Sequence, residues 1–266
     1  MKLKKLLRSN VMTIKTSDIN SVRVITLNHK SIHNPFSEEL EDAVKAALVE
    51  ADHDTNISAI VVHGGEDRSF SAGGDFNEVR NLKGGIEVDR WIDRVIDLYQ
   101  TVLNVRKPTV AAIDGYAIGM GFQFAMMFDV RIISSTGKFI MPELKHGIGC
   151  SLGAQILSHC IGYNTMKSIV YSCDELDATQ ATQLHLADTM TQPEQLLAAA
   201  INEAEKLAAY PTPSFQSTKK VMNHKYFELL ETARKESKEV HRLSFSAGDA
   251  QKHFNRVLKT TSEIGV

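Results

Sequence analysis

The chain is poor in cysteine, with 3 among 266 residues. Cys150, Cys160 and Cys173 are odd in number and form no C-x-x-C pair, which argues against a disulfide framework and against a thiolate zinc site. An excess of one charge is also missing. Thirty Lys and Arg stand against 32 Asp and Glu, a net charge of −2, which removes the electrostatic case for nucleic acid or an anionic membrane surface as a partner. No apolar run approaches the length of a bilayer span. The opening Met1-Lys-Leu-Lys-Lys-Leu-Leu-Arg8 is basic, but Leu6-Leu7 is far too short for a signal-peptide core. A cytoplasmic protein is expected. Residues 1–12 read as a disordered extension, with Met12 an alternative start. There is no low-complexity tract and no internal repeat. Neither His29 with His33 nor Asp89 with Asp93 makes a metal site by its spacing, and no metal is expected.

What is present is a core-forming pattern. A hydrophobic content of 43% suffices for one large domain or a domain with a helical appendage. Val22 to Leu27 reads as a strand, followed by a polar loop to Pro35 and a helix from Ser37, its cap, to about Asp52. Ile57 to His63 is a second strand. Residues 87–105 place Val88, Trp91, Ile92, Val95, Ile96, Tyr99, Val102 and Leu103 at helical spacing, and Lys107-Pro108 ends that helix. Thr109 to Ile113 reads as a buried strand, Phe122 to Phe128 as a buried helix, and Val130 to Ser134 and Lys138 to Met141 as short strands. Beyond Ser151 only helices are expected, near 151–160, 164–172, 177–184, 192–209 and 214–246. The pattern predicts an α/β core followed by an all-helical tail.

Three motifs carry the chemistry: Phe70-Ser-Ala-Gly-Gly-Asp-Phe76, Gly115-Tyr-Ala-Ile-Gly-Met-Gly-Phe-Gln123 and Met141-Pro-Glu-Leu-Lys-His-Gly147. The first two follow β-branched strands and lead into helices. Glycines at such turns let backbone N–H groups approach a ligand closely. Two of these loops would place two donors on one oxygen, with Glu143 beside them as acid or base. Asp75 reads as the cap of the helix behind the first loop.

In this order and spacing the motifs resemble the crotonase (enoyl-CoA hydratase/isomerase) superfamily, from about Val22 to the C-terminus. The resemblance implies an α/β, crotonase-like spiral of ββα units with a C-terminal all-helical region. It divides the chain into a core at 13–205 and a helical trimerisation region at 206–266, in a homotrimer or a dimer of trimers. It also implies a coenzyme A thioester as substrate, no permanently bound cofactor, and catalytic backbone N–H groups at Gly74 and Met120. The superfamily's hydratases resemble one another in two glutamates. Here the first falls on Gln123 and only Glu143 remains, so two-carboxylate hydration loses half its apparatus.

Ser69 to Glu78, Trp91 to Gln100, Gly115 to Gln123 and Met141 to Cys150 are similar, within the superfamily, to its carbon–carbon bond-forming members of carbapenem biosynthesis. That resemblance implies malonyl-CoA and pyrroline-5-carboxylate as partners, joined by decarboxylation, enolate attack and thioester hydrolysis. A single glutamate suffices, since loss of carbon dioxide makes the enolate without a base. Glu143 is then expected to activate water. Trp91, Gln123 and His241 are expected at the substrate, His241 as partner of the product carboxylate, and Lys30 and Ala72 along coenzyme A. His146 is expected as a loop residue and not a catalyst. Two alternatives stay open at this point: another crotonase-type activity (isomerase, decarboxylase or thioester hydrolase), and a non-catalytic acyl-CoA-binding protein.

Overall fold

The computed structural model describes residues 13–264. The disordered extension expected at residues 1–12 lies outside the described residues. The chain opens with an antiparallel hairpin, β1 (Ile14–Ile19) and β2 (Val22–Leu27), and continues through α1 (Glu38–His53) to β3 (Ala59–His63). A one-turn α2 (Phe76–Val79) and the long α3 (Ile86–Asn104) precede β4 (Thr109–Ile113) and β5 (Tyr116–Ile118). Then come α4 (Met120–Ala125), β6 (Val130–Ser134) and β7 (Lys138–Ile140), with a 3-10 turn at Glu143–His146. The second half comprises α5 (Ser151–Ile161), α6 (Tyr163–Ser172), β8 (Glu175–Asp177), α7 (Ala178–Gln183), β9 (Thr189–Thr191), α8 (Leu196–Ala208), α9 (Thr212–Ala247) and α10 (Asp249–Ile264).

The main sheet runs β1-β2-β3-β4-β6-β9, parallel except for the β1–β2 hairpin. A parallel sheet needs both faces covered, and the period-2 alternation of its strands delivers that. Val22, Val24, Ala59, Val61, Val110, Ala112 and Ile132 meet α8 through Leu196, Ala200, Ile201 and Ala204. The intervening Ile25, Leu27, Ile60, Val62, Ala111, Ile113 and Ile133 belong to the larger core with α1, α3 and α4. A second sheet, β5-β7-β8, lies beside it.

The expected α/β core and helical C-terminal region are present, with departures that include the unanticipated β5 and α10. The reading of everything beyond Ser151 as helical is corrected by β8 and β9, three-residue strands too short to show any periodicity. The helix expected over Phe122 to Phe128 spans Met120–Ala125, starting two residues and ending three residues earlier, because Gly119 at φ +51° lets the chain turn directly into it. β1 has no sequence signal: its burial pattern is mostly exposed, as befits a polar edge strand.

α9 is clamped along α3 by a ladder of ions: Arg242 with Asp89, Lys238 and Arg234 with Asp93, and Arg234 with Asp97. This ladder sets the helix carrying His241 against the helix carrying Trp91. At its other end, buried Lys219 joins α9 to the sheet, donating to Asp129 Oδ2 at 2.6 Å and to the Lys107 carbonyl at 2.9 Å.

Candidate active site

Backbone hydrogen bonds bring the three motifs together. The N–H of Ser71 donates to the Tyr116 carbonyl and that of Ile118 to the Ser71 carbonyl, each at 2.9 Å, so the first glycine loop is zipped onto β5. The Gly119 N–H donates to the Ile140 carbonyl at 2.9 Å, which ties the second loop to the strand leading into Pro142-Glu143. Contact is too close for side chains. A Cβ on Gly73, whose φ is +90°, would stand 2.7 Å from the Ile118 carbonyl oxygen and 3.5 Å from the Met120 nitrogen. One on Gly119 would stand 3.2 Å from Glu143 Oε1.

A cleft opens where these loops meet. Gly74, Met120, Gln123, Glu143, Trp91, His241 and Ala72 all line it. Gly74 pairs through its neighbours: Phe36 donates to the Gly73 carbonyl and Asp75 donates to the Phe36 carbonyl. The Gly74 N–H itself has no partner among the described residues. Met120 is the first residue of α4, where a helix leaves its N–H groups unpaired. Asp75 caps α2 by accepting from the Asn77 N–H at 2.8 Å, as its position suggested.

Glu143 is the one carboxylate among the described residues lining the cleft. Its Oε1 accepts from Gln123 Nε2 at 2.9 Å, while Oε2 is buried without a partner among the described residues. Burial pushes the Glu143 carboxyl up to about 7, against its own backbone N–H, Gln123 and the Cys150 thiol, which favour the charged form. The acid is therefore poised between its two states near neutral pH.

Trp91 and His241 face each other edge to face, ring centres 5.6 Å apart, and the indole reaches to 4.0 Å from where a Gly74 Cβ would stand. His241 Nδ1 lies 2.7 Å from the Ser237 carbonyl oxygen. A carbonyl only accepts, so Nδ1 carries the proton. Burial holds the ring pKa down to about 4, so at neutral pH Nε2 is an acceptor. The expected partnership with a carboxylate requires the ring to take up a second proton at Nε2.

Some of the cleft was not anticipated. Phe76, Val79, Ile92, Val95, Ile148, Leu152 and Phe254 supply apolar wall. Ile92 and Val95 were legible only as positions on the helical stripe; the contribution of α10 through Phe254 had no sequence signal. His146 also lines the cleft, stacked on His253 with ring centres 4.4 Å apart, and burial lowers its pKa to about 4. Lys30 is exposed and does not line the cleft. Its loop is nevertheless tied to the site, because the Ala72 N–H donates to the His33 carbonyl at 2.7 Å. Among the described residues no group of three or more His, Cys, Asp or Glu is placed to hold a metal ion, and no helix is long and apolar enough to cross a membrane.

The enoyl-CoA hydratase/isomerase family model matches residues 17–261. The chain belongs to this family. Within it, the chain is 55% identical over 239 residues to carboxymethylproline synthase of Pectobacterium carotovorum subsp. carotovorum, covering 90% of this chain and 96% of the relative. It is 31% identical to the mitochondrial enoyl-CoA hydratase of Pongo abelii over 75% of this chain and 68% of that one. Among solved structures, ThnE from S. clavuligerus superposes with a TM-score of 0.74 at 31% identity, over 86% of this chain and all of that one. An enoyl-CoA hydratase from Bacillus halodurans, at 23% identity and TM-score 0.83 over 92% and 99%, shares the crotonase fold.

Proposed function

We propose that this crotonase-family chain is a carboxymethylproline synthase, joining malonyl-CoA to pyrroline-5-carboxylate and hydrolysing the thioester. The observation that carries the reading is a cleft with a single carboxylate, Glu143, whose second acidic position is filled by Gln123. The 55% identity to the Pectobacterium enzyme supports it.

The malonyl thioester oxygen is received by the N–H groups of Gly74 and Met120. Loss of carbon dioxide leaves an enolate whose charge falls on that oxygen, where preorganised donors are worth about 10²–10³ in rate each. No base is required. The apolar wall excludes water, which preserves the enolate until it attacks the C=N carbon of the second substrate. Trp91 and His241 form the end of the cleft assigned to that substrate, which reacts as the protonated imine: the enolate carbon bonds to the C=N carbon, the C=N pair becomes the amine lone pair, and His241 Nε2 is suited to accept from that N–H. Hydrolysis then needs one base. Glu143, ionised by half near pH 7, takes a proton from water, and the same two N–H groups hold the tetrahedral oxyanion. Ala72 and the Lys30 loop beside it are assigned to coenzyme A. A homotrimer or dimer of trimers, and a place in carbapenem biosynthesis, belong to the same reading.

The test is mass spectrometry of purified protein with malonyl-CoA, with and without pyrroline-5-carboxylate. Carboxymethylproline and free CoA that appear only with both substrates are the expected result. Acetyl-CoA under both conditions would replace this reading with a simple decarboxylase, and intact malonyl-CoA would exclude both.

A further inference from the structure

We propose that Tyr99 is a positioning residue for thioester cleavage, its hydroxyl holding the Gln123 amide in the orientation that gives an N–H to Glu143. The inference rests on the reading of Glu143 as the base that activates water. Tyr99 lies on α3, is fully buried and does not line the cleft. Its hydroxyl stands 3.1 Å from Gln123 Oε1 and 3.2 Å from the Met120 carbonyl oxygen. Gln123, itself 6% exposed, gives its other end to Glu143 Oε1 at 2.9 Å. A continuous line therefore runs from Tyr99 through Gln123 to Glu143.

The two ends of a glutamine amide are nearly equal in size, so its partners decide which way it points. Among the described residues the Tyr99 hydroxyl is the hydrogen-bond donor at Oε1. With that donor in place, the N–H end is committed to the carboxylate. Without it, Oε1 is buried and unsatisfied, and the amide loses the restraint that keeps Nε2 on Glu143. The carboxylate then loses a donor to its charged form, and its base form appears at higher pH. A tyrosine present only to fill the core would not move that titration. The phenol's single proton is shared between Gln123 Oε1 and the Met120 carbonyl oxygen, the nearer of the two being Oε1.

Tyr99→Phe removes one oxygen and preserves the ring. The rate of CoA release, measured across pH, is expected to show its acid limb displaced upward from the wild-type position. At pH 6 it is expected to fall about tenfold, the equivalent of about 1.4 kcal/mol. The KM for malonyl-CoA is expected to stay within about twofold. In a Gln123→Ala background, Tyr99→Phe is expected to add no further displacement. An unmoved limb in a folded Tyr99→Phe enzyme whose wild type turns over both substrates overturns this inference alone. Absence of CoA release by the wild type overturns the underlying reading with it. If Tyr99→Phe does not fold, the Gln123 side-chain amide in 15N-labelled wild type decides. Protected signals that follow the Glu143 titration support the proposal, and freely exchanging ones contradict it.

Discussion

Gln123 Nε2 reaches Glu143 Oε1 across 2.9 Å, so the one carboxylate in the cleft has an amide where a second acid would otherwise sit. On the proposed reading the pairing divides the chemistry: backbone N–H groups and water exclusion would serve enolate formation, and Glu143 proton transfer.

Burial of Glu143 has a consequence for stability. Its pKa in the folded chain, about 7, lies above the ordinary carboxylate value of 4.5. The associated stabilisation is complete below 4.5 and is lost as pH rises through 7, to a bound of about 3 kcal/mol. Glu143→Gln carries no such loss. Its melting temperature relative to wild type is expected to rise between pH 5 and pH 8; a pH-independent difference would show that the carboxyl is well solvated.

The glycine contact at the mouth of the two loops makes a steric prediction. Gly73→Ala places a Cβ against the Ile118 carbonyl at a positive φ. The loops must separate, which displaces one or both N–H donors. Malonyl-CoA consumption is expected to fall about 10²–10³-fold with the circular dichroism spectrum unchanged. Wild-type consumption would mean that the donors lie elsewhere.

Trp91 packs against His241 above Gly74. Trp91→Ala is expected to lower kcat/KM for pyrroline-5-carboxylate about 10- to 200-fold, while malonyl-CoA is still consumed and acetyl-CoA rises as a share of product. Equal loss of both activities would place the indole at the thioester instead.

Much of this was legible in the sequence, for physical reasons. β3 and β4 announce themselves as apolar runs because a parallel strand inside the sheet is buried on both faces, and the three motifs stand out because close backbone approach demands glycine. β5, β8 and β9 are three residues long and leave no period to read. Phe254 and Tyr99 were invisible as site residues for a different reason. An aromatic on a helical stripe looks the same whether it fills a core, walls a cleft or braces an amide, and only the hydroxyl contact to Gln123 separates those cases. The tautomer of His241 likewise depends on the Ser237 carbonyl one turn back, a geometry that residue type does not reveal.

The most direct measurement is the product mixture of Glu143→Gln given malonyl-CoA and pyrroline-5-carboxylate, read by mass spectrometry over time. If the N–H groups make the enolate and Glu143 cleaves the thioester, the carboxymethylprolyl-CoA thioester accumulates while its hydrolysis falls about 10²–10⁴-fold. Release of CoA and carboxymethylproline at the wild-type rate, with no thioester detected, would contradict the assignment of water activation to Glu143.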